Sequence, residues 1–115
     1  MSVELAKKEC VPCKGGVEKL TVAQIKPLLN ELGNGWDAVD NHHLEKTYKF
    51  KDFVQALAFT NTVGEIAEEQ NHHPDILTTY GKTSVTIWTH TIDGLTESDF
   101  VFAAKVEEAH KSHAM

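Results

Sequence analysis

Glu68-Glu69-Gln70-Asn71-His72-His73-Pro74-Asp75 is the stretch at which a long helical pattern gives way to a strand pattern. The residue before a proline is disfavoured in the helical region, so the helix is predicted to end before Pro74. The two adjacent histidines therefore fall at a helix-to-strand junction, where side chains are commonly exposed and functional. Since the ordinary pKa of histidine is about 6.5, the pair is suited to proton transfer near neutral pH.

Turn and capping residues divide the rest of the chain into helices and strands. Thr21 and Asp52 are each followed three residues later by glutamine, a pattern that starts a helix, and Thr96 precedes a further helical pattern. Runs of alternating apolar and polar residues between turns predict strands. The predicted order is helix 22–32, strands 36–39 and 43–50, helix 53–70, strands 75–80 and 83–91, and a helix from 97 to about 110.

The order α-β-β-α-β-β-α predicts an α+β fold, with a four-stranded antiparallel sheet and helices packed on one face. One face of the long helix is expected to pack on the sheet, and Phe59 and Val63 extend its apolar surface. The residues expected on this face are Phe53, Ala56, Leu57, Gly64, Ile66 and Ala67. The opposite face of the sheet has no helix to cover it. Because a half-covered sheet favours association of copies, a homo-oligomer is expected.

Length and charge narrow the possible functions. The chain has 115 residues, which fits one domain, predicted at residues 20–113 after a polar lead-in at residues 1–19. The net charge of −6 argues against binding to nucleic acid or to an anionic membrane surface. No apolar run approaches the roughly 20 residues of a membrane-spanning helix. Residues 1–20 lack the apolar core of a signal peptide, so the cytoplasm is the expected compartment.

The two cysteines lie in the lead-in, as Cys10 and Cys13 with CxxC spacing. In a cytosolic protein this spacing indicates metal or redox chemistry, and a zinc site needs about four ligands. His110 and His113 have a spacing that would complete such a site. The alternative, which we favour, is an exposed or packing role for both cysteines, so no metal site is predicted.

Glu68 and His90 accompany the histidine pair. Glu68 lies four residues before His72, one helical turn, and so on the same face as the approach to that histidine. His90 ends the predicted 83–91 strand, and if that strand folds back, three imidazoles and the Glu68 carboxylate surround one pocket. Acid–base catalysis and metal binding both remain open for such a pocket. The pair His42-His43, by contrast, is assigned to a solvated polar turn.

A spaced set of residues extends this pattern along the chain. It comprises Glu68, His72-His73-Pro74, Tyr80, His90, Gly94-Leu95-Thr96 and Asp99, together with Gly35-Trp36 and Phe50-Lys51-Asp52-Phe53. The set resembles the signature of the pterin-4a-carbinolamine dehydratase family, and the resemblance covers residues 20–108. It implies a helix–hairpin–helix–hairpin–helix fold, a tetrahydropterin substrate, no cofactor, and a homo-dimer or homo-tetramer.

The resemblance also implies an activity and roles for residues. The family's hydro-lyase reaction dehydrates 4a-hydroxytetrahydropterin, such as 4a-hydroxytetrahydrobiopterin, to quinonoid dihydropterin in tetrahydrobiopterin recycling. By this resemblance His72, His73 and His90 are catalytic, since the leaving hydroxide must be protonated and a ring N–H proton accepted. Glu68 and Asp99 are expected to support them by orienting imidazoles, with helix capping as the alternative for Asp99.

Trp36 and Pro74 are expected to bind the substrate. The ring of Trp36 is suited to stack on the flat pterin, and core packing is its alternative role. Two other functions stay open: a non-catalytic dimerisation module of the transcriptional-coactivator type, and a metal-binding protein.

Overall fold

The structure of the protein is a computed structural model that describes Lys7, residues 18–33 and residues 35–113, with side chains described as far as Lys111. Cys10 and Cys13 lie outside the described residues, as do most of the predicted lead-in and the side chain of His113. Within the described ranges, no helix combines the length and the apolar character needed to cross a membrane.

The described residues form three α-helices and one four-stranded sheet in the predicted order. The elements are α1 (Val22–Leu32), β1 (Asp37–Val39), β2 (His43–Lys49), α2 (Phe53–Gln70), β3 (Asp75–Thr79), β4 (Lys82–Ile87), a 3₁₀ helix (His90–Ile92) and α3 (Glu97–His113). The strands are antiparallel in the spatial order β1-β2-β4-β3, so the two hairpins join through β2 and β4. This architecture confirms the predicted α+β class.

Capping side chains set the limits of the helices. The Thr21 hydroxyl accepts from the backbone N–H of Gln24, whose side chain accepts from the N–H of Thr21, which confirms the predicted capping box. Asp52 caps the first turn of α2. At the other end of α2, Asn71 has a left-handed backbone (φ 52°), which asparagine tolerates better than most residues. The chain leaves the helix there, so His72 lies outside it.

The face of α2 that packs on the sheet matches the prediction in part, since Ala56 and Ala67 are buried as expected. Phe53 and Leu57 were expected on this face, but each is 43% exposed. The ring of Phe59 instead packs between those of Tyr48 and Phe50, at centroid distances of 4.8 and 5.3 Å. Because Phe59 fills this part of the core, Phe53 and Leu57 lie at the flank of the helix. The buried stripe is Ala56, Phe59, Val63 and Ala67.

Strand β4 ends at Ile87, earlier than the predicted end of the strand at Thr91. Thr89 pairs with Gly94 across an isolated bridge, and the residues between them turn through the 3₁₀ helix. His90 therefore lies in a tight turn and not on a strand. The alternating pattern did not reveal this turn, because it depends on the bridge to Gly94 and not on alternation along the strand.

A buried carboxylate accounts for Lys46, the charged residue in the apolar pattern of β2. The ammonium of Lys46 donates to Oε1 of Glu107, which is 5% exposed. The indole Nε1 of Trp36 and the hydroxyl of Tyr48 donate to the same oxygen. Burial, and after it the contact with Glu107, raises the pKa of Tyr48 well above its ordinary value.

Candidate active site

A histidine that follows α2 meets an aspartate from the start of α3. The Nε2 atom of His72 lies 2.6 Å from Oδ1 of Asp99. The Asp99 side chain is completely buried, whereas that of His72 is 17% exposed. Since a carboxylate only accepts hydrogen bonds, Nε2 carries a proton, and Nδ1 is the ring nitrogen left to exchange a proton with a ligand.

Three donors hold the Asp99 carboxylate. Its Oδ2 atom accepts from the hydroxyl of Thr89 at 2.9 Å and from the backbone N–H of Thr96 at 2.8 Å, and His72 donates to the other oxygen. Asp99 thus caps α3 and also orients an imidazole, the two roles considered for it from the sequence. Because its hydrogen bonds hold the Asp99 carboxylate in place, the carboxylate in turn holds the His72 ring in one orientation.

His73 has a separate carboxylate partner. Its Nε2 atom lies 2.6 Å from Oε2 of Glu68, and the two side chains are 56% and 80% exposed. Helical spacing placed Glu68 beside the approach to His72, but the left-handed residue Asn71 redirects the chain, and Glu68 contacts the next histidine instead. An exposed pair is weakened by water and salt, so Glu68 holds His73 less firmly than Asp99 holds His72.

His90 is connected to the His72 pair through its backbone neighbour. Thr89, the preceding residue, donates to Asp99, whereas the imidazole of His90 packs on Trp88 at a centroid distance of 4.3 Å. In the described part of the chain, no hydrogen bond joins the ring of His90 to that of His72. Asp99 therefore connects His72 to the residue before His90, while the His90 ring itself lies on Trp88.

The pair His42 and His43 contacts the same tryptophan as His90, which corrects its assignment to a solvated turn. Both residues are half-buried, and their rings lie 5.3 and 5.8 Å from that of Trp88. The pairing of Leu44 with Ile87 brings the ends of β2 and β4 together, and so brings these rings together. The sequence contained no local signal for this contact, since it depends on the register between two hairpins.

Trp36 and Pro74, both expected to bind the substrate, have different surroundings. Trp36 is 5% exposed, with its Nε1 donated to Glu107 and its ring edge-on against Tyr48. This environment favours core packing, the alternative role considered for Trp36. Pro74 is half-buried and follows His73 directly, so it borders the histidine pair.

In this arrangement carboxylates orient imidazoles, and imidazoles oriented in this way can act as general acids and bases. Each of the two adjacent histidines, His72 and His73, has a carboxylate on Nε2 and so presents Nδ1 to a ligand. Among the described side chains, no three His, Cys, Asp or Glu groups are arranged to hold a metal ion.

Comparison with known proteins identifies the family to which this site belongs. A family model described as pterin 4 alpha carbinolamine dehydratase matches residues 18–109. The chain belongs to this family. A relative from Rubrobacter xylanophilus is 59% identical over 104 residues, which is 90% of this chain and 96% of that protein. Another, from Alkaliphilus metalliredigens, is 49% identical over 104 residues, 90% of this chain and 94% of that protein.

Both relatives are provisionally named pterin-4-alpha-carbinolamine dehydratases, and these names support dehydratase activity in this family member. A crystal structure of a transcriptional coactivator/pterin dehydratase from Brucella melitensis is 34% identical, with a TM-score of 0.73 over 79% of this chain and 97% of that one. A pterin dehydratase-like protein described as a RuBisCO assembly factor is 24% identical with a TM-score of 0.56, and it shares the fold. The predicted family resemblance is confirmed.

Proposed function

We propose that this chain dehydrates 4a-hydroxytetrahydropterin, with 4a-hydroxytetrahydrobiopterin as substrate, to quinonoid dihydropterin in tetrahydrobiopterin recycling. Family membership supports the class of reaction. The observation that carries the proposal is the pair His72–Asp99, in which a buried carboxylate fixes the tautomer of a partly exposed imidazole. The cytoplasm remains the predicted compartment, and residues 20–113 form the proposed catalytic domain.

The proposed reaction consists of one bond cleavage and two proton transfers. The C4a–O bond breaks, the hydroxyl takes up a proton and leaves as water, and the N5–H proton is lost as the C4a=N5 bond forms. The electron pair that expels the hydroxyl comes from the ring nitrogen of the substrate. General acid–base groups contribute typically about 10²–10⁴-fold to steps of this kind.

In this proposal, His72 and His90 exchange the two protons with the substrate. His73 orients the pterin or serves as a further acid–base group, and Glu68 orients the His73 ring through its 2.6 Å contact. Asp99 supports His72, because its buried carboxylate faces the positive charge that develops when that imidazole takes up a proton.

The test is a dehydration assay on 4a-hydroxytetrahydropterin generated in the cuvette, with the spontaneous rate subtracted. We expect His72→Ala to lower kcat by at least about tenfold while circular dichroism shows an intact fold. Asp75→Asn is the control, since Asp75 is an exposed residue in the same junction. A wild-type protein that does not exceed the spontaneous rate would contradict the proposal and favour the non-catalytic binding module.

We further propose that the protein is a homo-dimer or homo-tetramer. The residues Phe53, Val54 and Leu57 of α2 are 43%, 75% and 43% exposed, which leaves a group of apolar side chains in contact with solvent. Light scattering after size exclusion should give a dimer or tetramer, and Val54→Glu should shift it towards monomer. Asn61→Asp, which adds charge at an exposed polar position of the same helix, is the control. A monomeric wild type would contradict this proposal.

A further inference from the structure

The turn that carries His90 is attached to the rest of the fold at both of its ends. At its start, the hydroxyl of Thr89 donates to the buried Asp99 carboxylate at 2.9 Å. At its end, Oδ1 of Asp93 lies 2.7 Å from Nε2 of His42, a residue of the turn between β1 and β2. The backbone bridge between Thr89 and Gly94 closes the segment. His90 therefore lies between two contacts, the buried one of Thr89 with Asp99 and the exposed one of Asp93 with His42.

His42 is fixed at both of its ring nitrogens. Nε2 donates to Asp93, because a carboxylate only accepts, and Nδ1 lies 3.0 Å from Nδ1 of His43. The hydrogen bond from His42, and then its charge, lower the pKa of the Asp93 carboxyl, with Lys19 as a minor contributor. The side chains of His42 and Asp93 are 34% and 86% exposed, so this contact adds little to the stability of the fold.

The ring of Trp88 connects this contact to His90. Trp88 lies 5.3 Å from the ring of His42, 5.8 Å from that of His43 and 4.3 Å from that of His90. Trp88 is half-buried and His90 is exposed, so their orientation depends on the few side chains that they touch. His42 and His90 therefore contact the same tryptophan ring.

We propose that His42 and Asp93 are positioning residues for His90: they hold the turn and the Trp88 ring so that the His90 imidazole has one orientation. This inference rests on the proposed dehydratase function, in which His90 exchanges a proton with the substrate. Neither His42 nor Asp93 touches the reacting atoms in this scheme. A proton-transfer group that is displaced by about an ångström can lose a large part of its rate contribution, so a weak surface contact can matter for kcat.

The kinetic test compares His42→Ala and Asp93→Asn with Asp40→Asn. Asp40 and Asp93 have the same left-handed backbone, with φ of 53° and 51°, so asparagine fits both positions equally well. We expect the first two variants to lower kcat by at least about threefold with KM within about twofold of wild type. Asp40→Asn should leave both constants unchanged. Equal kcat in all four proteins would overturn the proposal.

A conservative variant separates positioning from loss of packing volume. The side-chain amide of His42→Gln can donate to Asp93 from nearly the position of the imidazole Nε2. We expect His42→Gln to recover more than half of the kcat lost in His42→Ala. A glutamine variant as slow as the alanine variant would overturn the role assigned to the hydrogen bond.

A second readout does not depend on activity. In the wild type the ring current of Trp88 should displace the carbon-bound imidazole proton resonances of His90, since the two rings are in contact. These resonances should move in His42→Ala and Asp93→Asn and stay in place in Asp40→Asn. Unmoved His90 resonances in the first two variants would overturn the proposal. A wild type with no dehydratase activity would reject the proposed function, and the resonance shifts would still decide whether His42 positions His90.

Discussion

Asp99 and His72 are 27 residues apart in the sequence, yet their side chains share a 2.6 Å hydrogen bond in which the carboxylate is completely buried. Burying a carboxylate costs free energy unless hydrogen bonds compensate it, and three donors surround this one. The pair therefore links the start of α3 to the junction after α2, and it fixes which nitrogen of His72 carries a proton.

Asp99→Asn should reverse the tautomer of His72. The hydroxyl of Thr89 and the N–H of Thr96 both donate to Oδ2, so the amide oxygen of asparagine must take that place. The amide N–H₂ then faces Nε2 of His72, which has to accept, and the proton moves to Nδ1. We expect kcat to fall by at least about tenfold. Nitrogen NMR of the imidazole measures the tautomer directly.

The same variant should lose about 1–3 kcal/mol of unfolding free energy, because one buried hydrogen bond to a charge is replaced. Asp75→Asn, at an exposed position, is the matched control and should be nearly neutral. An Asp99→Asn protein with wild-type kcat and an unchanged His72 tautomer would show that the pair has no catalytic role.

Glu68→Gln should have a smaller effect, and that effect should depend on salt. Glu68 and His73 are both exposed, so their attraction is screened as ionic strength rises. We expect the difference in kcat/KM between wild type and variant to shrink between about 0.05 M and 1 M NaCl. Glu69→Gln is the control, since Glu69 accepts from Gln70 and not from a histidine. A difference that is independent of salt would exclude an electrostatic role for Glu68.

Tyr48 should make the fold sensitive to alkaline pH. Its pKa in the folded protein is raised above the ordinary value of 10.0, first by burial and then by Glu107. The contribution of the protonated Tyr48 phenol to the unfolding free energy is complete below about pH 10. It is lost as the pH rises further, because the phenol ionises first in the unfolded chain. We expect the unfolding free energy to fall by up to about 1.4 kcal/mol per pH unit from this residue.

Urea denaturation of wild type and Tyr48→Phe at about pH 9, 10 and 11 measures this contribution. Lysines titrate in both proteins, so the difference in slope isolates the phenol. Phenylalanine cannot ionise, and the variant should therefore lose less stability over this range. Parallel pH dependences in the two proteins would contradict the raised pKa.

Trp36→Phe should act on stability and not on substrate binding. The indole is 5% exposed and donates to Glu107, so its replacement removes one buried hydrogen bond and some packing volume. We expect a loss of about 1–3 kcal/mol in unfolding free energy and an unchanged KM for the pterin. A KM that rises several-fold in a folded variant would instead support stacking of the substrate on Trp36.

Chelators should leave the dehydration rate unchanged. The proposed chemistry consists of proton transfers, with the electron pair supplied by the substrate. The rate is measured before and after dialysis against EDTA, followed by addition of zinc. Activity that is abolished by the chelator and restored by zinc would point to a metal site that includes Cys10 and Cys13.

The sequence by itself determined the order of the helices and strands and the place of the histidine junction. Capping residues such as Thr21 and Asp52 act on backbone groups only three residues away, and the effect of Pro74 is on its immediate neighbour. Signals of this kind are complete within a short window, so no knowledge of the packing was needed to interpret them.

Only the tertiary structure decided which side chain each histidine contacts. His72 pairs with Asp99 and not with Glu68, because Asn71 turns the chain out of α2 towards the start of α3. His90 packs on Trp88 beside the turn between β1 and β2, because the register of β2 against β4 brings these segments together. These contacts depend on how elements that are far apart in the sequence pack together. Local sequence patterns carry no information about that packing.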